Sequence, residues 1–123
     1  MKNSQIIIIL FLLTNALNAQ VNLDESKKMV NQGKLLLGTD KKEAMKTFDN
    51  AVRNARTKLY KEGHPEIMVL IGDAYMNYGF GGEADIFYTR ARDIEPREKK
   101  YADKLYDPRL IKWRKEHPEL SQH

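Results

Sequence analysis

Residues 71–96 read IGDAYMNYGFGGEADIFYTRARDIEP, and they decide the fold. The spacing is helical, yet glycine, alanine and tyrosine stand where leucine would bury more surface. Apolar residues recur at steps of three and four on either side of GFGG, residues 79–82, which supplies a turn. Gly72 falls inside the first of the two helices, where glycine costs about 1 kcal/mol relative to alanine. That cost is tolerable where a neighbouring helix leaves no room for a Cβ. Ala84 and Ala91 keep the partner helix equally slim, and Tyr75 and Tyr88 fill the spaces beside the contact. The pattern predicts a tight helical hairpin whose backbones approach each other at 72, 84 and 91.

Working outward, Pro65 suits the first turn of this hairpin and Pro96 stops its second helix. Upstream, Ala44, Phe48, Ala51, Val52, Ala55 and Leu59 share one face and predict a helix ended by Gly63. Asp40 followed by Glu43 is close to a capping box at its start. Before it, Met29, Val30, Leu35, Leu36 and Leu37 mark another helix, closed near Gly38. Downstream, residues 97–106 read as a helix with Tyr101, Ala102 and Leu105 inward. Asp107-Pro108 opens a last helix to about Glu116, anchored by Leu110, Ile111 and Trp113. No segment alternates with period two, so the expected class is all-α.

The hairpin resembles a known repeat. Met68, Ile71, Gly72, Tyr75, Ala84, Tyr88, Ala91 and Pro96 fall at the spacings of the tetratricopeptide repeat, so residues 65–98 look like one whole copy. Met68 stands where tryptophan is typical, Ile71 replaces leucine and Tyr88 replaces phenylalanine. Ala44, Phe48 and Ala51 repeat Ala84, Tyr88 and Ala91 at an offset of 40, so residues 25–58 resemble a degenerate first copy. In that copy Gly33 falls one residue from the expected glycine, and Leu35 takes the tyrosine position. The resemblance implies a short right-handed solenoid of two helical hairpins with a C-terminal capping helix. It also implies a scaffold that binds a peptide or another protein along the inner face of the first helix of each pair. Carried over by position, that face holds Glu66, Val69, Asp73, Met76 and Asn77, with Met29 and Leu36 joining from the first copy. Such a groove should expose Met76 and Asn77. Val69 and Asp73 depart from the family's carboxylate clamp, and Glu66 and Asp73 would favour a basic or neutral ligand. Because repeat arrays need about three units, residues 97–116 are expected to supply a third layer, or the chain to form a homo-oligomer.

Composition bounds the rest. The chain has 123 residues, 31% charged and 41% hydrophobic, which fits one small folded domain. It has no cysteine, which removes disulfides and thiol chemistry. Lys2, the apolar run Ile6–Leu13 and the small residues ending at Ala19 have the layout of a secretory signal peptide. The run is shorter than the roughly 18–20 residues of a membrane span. The expected organisation is therefore a signal peptide at 1–19, a helical domain at 20–106 and a basic C-terminal helix or tail at 107–123. The mature protein would be periplasmic or extracellular, without a stable membrane span. Residues 20–96 hold twelve basic and twelve acidic side chains, and the surplus lies in 97–123 with eight against five. That balance is not the basic stripe of a nucleic-acid binder.

No catalytic, cofactor-binding or metal-ligating set is read from the chain. His64-Pro65-Glu66 and His117-Pro118-Glu119 repeat one tripeptide, and each histidine before a helix-starting proline reads as a local cap. Tyr75, Tyr78, Phe80, Phe87 and Tyr88 around the GFGG turn read as hairpin core rather than as a sugar or peptide platform. Binding scaffold is the leading expectation. A self-assembling envelope component is the alternative, and a small enzyme ranks below both.

Overall fold

The computed structural model describes residues 23–120. The expected signal peptide at 1–19 lies outside them. The described residues form helices α1 (23–36), α2 (Lys41–Asn54), α3 (Pro65–Asn77), α4 (Gly81–Ile94), α5 (Lys99–Lys104) and α6 (Pro108–Glu116), then a 3-10 turn at Pro118–Leu120. They contain no strand, and no helix among them is long and apolar enough to cross a membrane. Adjacent helices pair as hairpins, α1 with α2 and α3 with α4, and α5 and α6 pack on the second hairpin.

Local chemistry sets the helix starts. Asp40 caps α2 by accepting a hydrogen bond from the Glu43 N–H at 3.1 Å, and Asp107 caps α6 through the Arg109 N–H at 2.9 Å. His64 caps α3, its Nδ1 accepting from the Glu66 N–H at 3.2 Å, with Pro65 in the first turn. Gly79, with φ +79°, makes the turn from α3 to α4.

The helix expected to run to Gly63 stops at Asn54 instead. Thr57 is the reason. Its N–H donates to the Tyr60 carbonyl, and its hydroxyl accepts from the Tyr60 N–H at 3.0 Å, so a local turn replaces the helix. Leu59 is consequently 78% exposed. The Tyr60 phenol donates to Glu95 at the end of α4 and ties this loop down, and that bond raises its pKa to about 12. Helix α5 is likewise shorter than the expected 97–106.

Gly72 has a different neighbour from the one expected. A Cβ there would lie 2.6 Å from Cε1 of Tyr88, so the glycine makes room for a ring and not for a second backbone. Gly33 does the same for Phe48, whose Cε1 would stand 2.5 Å from its Cβ. Both hairpins therefore use one device, a first-helix glycine under a second-helix aromatic ring. Gly33 and Gly72 are 39 residues apart while Phe48 and Tyr88 are 40 apart, because the second hairpin carries one extra residue between glycine and ring. The shift of one corrects the alignment of the first copy. Leu36, half-buried, corresponds to Tyr75, whereas Leu35 is 77% exposed.

The core is continuous from α1 to α6. Phe48 meets Tyr75 edge-on at 5.1 Å between ring centres and joins the two hairpins. Tyr101 of α5, Leu105 just beyond it and Leu110 of α6 are buried in the same cluster. Residues 107–116 thus share the core of the helices before them. Arg114 of α6 reaches the buried Asp85 of α4 at 3.0 Å.

His64 makes the cap sensitive to acid. Burial lowers its pKa below the usual 6.5, and only the neutral ring can accept the Glu66 N–H. A lowered folded pKa means that this contribution is present above about pH 6.5 and is lost as the pH falls through the folded value. Asparagine caps without titrating, so His64→Asn is expected to keep its stability relative to pH 7.5 at pH 5 better than wild type. His64→Ala should cost about 1 kcal/mol at pH 7.5. Urea melts at the two pH values measure both effects. Identical pH dependence of wild type and His64→Asn would remove the histidine from the account.

Candidate functional site

The five first-helix candidates lie on α3, and three of them make polar contacts to other helices. Glu66 pairs with Lys27 of α1 at 3.3 Å. Asp73 accepts from the Tyr88 phenol at 2.6 Å and from Lys104 Nζ at 3.1 Å, so it joins α3, α4 and α5. Burial, and next the bond to Asp73, raise the Tyr88 pKa far above its ordinary 10. Asn77 is exposed and accepts from Arg109 at 2.9 Å. Arg109 also holds Asp107, and that hydrogen bond is the main cause lowering the Asp107 pKa. Val69 is half-buried.

One expectation about this face is corrected. Met76 is only 7% exposed and belongs to the core, because α3 turns it to the interior beside Gly72 and Met68. Glu66 and Asp73, expected to favour a basic or neutral ligand, are paired with Lys27 and Lys104 while their side chains stay 45% and 32% exposed. Met29 and Leu36 of α1 are half-buried against the core. The face is thus crossed by ion pairs, and none of the clefts described next is lined by these residues.

The larger clefts involve the second helices. One of about 580 Å³ lies between the starts of α2 and α4, α6 and the 3-10 turn, lined in part by Lys41, Phe80, Ile86, Trp113 and Leu120. Phe80 is half-buried there with Lys41 Nζ 4.0 Å above its ring, and Glu83 takes the same lysine at 3.0 Å. Tyr75, Phe87 and Tyr88 are core, whereas Tyr78 is partly exposed. His117 stacks on Trp113 at 4.5 Å and its Nδ1 lies 2.9 Å from the Trp113 carbonyl oxygen, so it closes α6 locally.

A second cleft of about 520 Å³ separates α2 from α4, with Val52, Met68 and Ile94 as apolar lining and Arg53, Arg56 and Arg90 among its polar groups. The sequence reading passed over these arginines because they sit in the stretch where basic and acidic residues balance in number. Their grouping appears only when α2 and α4 are set side by side.

No family model matches the chain, and neither a curated protein nor a solved structure shows significant similarity to it.

Proposed function

We propose that this chain is an exported scaffold, similar to tetratricopeptide repeat proteins, that binds a protein or peptide segment. The observation that carries the reading is the repeated hairpin, with Gly33 under Phe48 and Gly72 under Tyr88. Stacked hairpins of this kind give a rigid, elongated surface from short units, which suits recognition of a chain segment. The Met68-to-Pro96 spacing supports the more specific likeness.

Self-assembly through the first hairpin is less well supported. The α3 stripe of Ile67, Ile71 and Ala74 is buried, and its α1 equivalents are Lys28, Gln32 and Leu35, all exposed. Two polar residues in three make this a capped end.

The test captures partners from envelope extracts on the purified protein and on a Glu66→Lys, Val69→Glu variant. These positions replace the buried Met76, whose substitution would damage the core. A partner captured by wild type and reduced at least tenfold by the variant supports use of the first-helix face. Equal capture moves the site elsewhere on the scaffold. A chain that captures nothing and changes size with concentration overturns the binding reading in favour of self-assembly.

A further inference from the structure

The 520 Å³ cleft holds three arginines that form no ion pair among the described residues. Arg53 lies on α2, Arg56 just beyond it and Arg90 on α4. Among the described residues, no carboxylate lies within 4.0 Å of any of them. Acidic groups share the cleft, namely Asp49, Glu62 and Asp93. Asp93 is held by Arg92 at 3.1 Å, which leaves two carboxylates against three guanidinium groups. Lys58 and Lys61, exposed and without ion pairs among the described residues, line the adjoining hollow that shares Glu62 and Ile94 with the cleft. Residues 20–96 are neutral as a whole, so this corner is a local gathering of positive charge.

Beside these charged groups the lining carries three apolar side chains. Val52 and Ile94 are half-buried, and Met68 belongs to the core. Guanidinium groups bind carboxylates through paired N–H donors, and a concave site of roughly 300–1,000 Å³ is the size that encloses a ligand. We infer that the cleft between α2 and α4 binds an acidic peptide segment, its carboxylates on Arg53, Arg56 and Arg90 and an apolar side chain on Val52 and Ile94, beneath which Met68 is buried. The inference rests on the binding-scaffold reading but places the contact on the second helices. Concavity favours a peptide over a lipid surface. A flat membrane would meet the loop at Lys58, Leu59 and Lys61 before it met arginines on a cleft wall.

Fluorescence anisotropy with labelled peptides tests this. The probes are an alternating Glu-Leu peptide, a Glu-Gly peptide and a Lys-Leu peptide. The Glu-Leu peptide is expected to bind at least tenfold more tightly than either control, and more weakly as salt rises. An Arg53→Gln, Arg56→Gln variant should weaken it at least tenfold with an unchanged melting temperature, since both side chains are exposed, whereas Arg90 also stacks over the Phe87 ring. The Glu66→Lys, Val69→Glu variant should bind like wild type. Equal binding of Glu-Leu and Glu-Gly peptides overturns the inference, as does indifference to the arginine substitutions. Binding to phosphatidylglycerol vesicles with none to the peptide overturns it as well. If the first-helix variant alone loses the peptide, the cleft assignment falls while the scaffold reading stands. Absence of any peptide binding together with empty captures from extracts removes both.

Discussion

Replacing Gly72 with leucine is expected to destabilise the protein by about 3 kcal/mol, the upper part of the range for overpacking a core. For a domain of this size that corresponds to a fall in melting temperature of roughly 15 °C. A Cβ alone would stand 2.6 and 2.7 Å from two carbons of the Tyr88 ring, so any side chain must push the ring away. The ring cannot yield freely. Its hydroxyl is bound to Asp73 at 2.6 Å, and Asp73 is held in turn by Lys104. Gly72→Ala gains about 1 kcal/mol of helix propensity, yet the pinned ring should turn that into a net loss of about 1–2 kcal/mol. A double-mutant cycle isolates the cause. In a Tyr88→Leu background, Gly72→Ala should become neutral or stabilising, with a coupling of about 1–3 kcal/mol. Gly33→Ala is expected to cost less than Gly72→Ala, because Phe48 has no hydroxyl to fix its ring. Thermal melts by circular dichroism measure all of these. A Gly72→Leu protein that melts with the wild type would show that Tyr88 does not lie over residue 72, and the hairpin geometry would fail with it.

How far the sequence could be read follows from the same contact. Glycine and alanine at helical spacing announce close packing, and that was legible. What they pack against was not, since an adjacent backbone and an adjacent ring both exclude a Cβ. The hairpin at 65–94 was legible because proline, the glycine turn and the apolar period agree there. The extent of α2 was not, because Leu59 continues the period while Thr57 closes a turn that ends it. The candidate face was legible as a stripe on α3. Its engagement was not, because Lys27, Lys104 and Arg109 come from elements 31 to 39 residues away in sequence. The arginine cleft lay further from view, since one wall comes from each hairpin and no period within either helix marks it.

Ending the chain after Pro96 is expected to leave it largely unfolded at 25 °C. Tyr101, Leu105 and Leu110 are buried in the common core and would be lost. Burial of three such side chains contributes together about 5–8 kcal/mol, as an upper estimate. That is comparable with the roughly 5–15 kcal/mol total stability of a small domain. Loss of Lys104 would also leave Asp73 with the Tyr88 phenol as its one remaining partner among the contacts described, and Tyr88 itself would be uncovered on the α5 side. Far-ultraviolet circular dichroism should show weak helicity and no cooperative melt. A milder variant keeps the full chain and tests the same layer. Leu110→Ala should cost about 2–5 kcal/mol, as truncation of a buried leucine does, and should retain a cooperative but lower transition. If the shortened chain melts at the temperature of the full one, α5 and α6 are appendages and two hairpins hold themselves together. If instead it unfolds while Leu110→Ala behaves as expected, the third layer is what closes the array, and the repeats cannot be treated as an independent binding module.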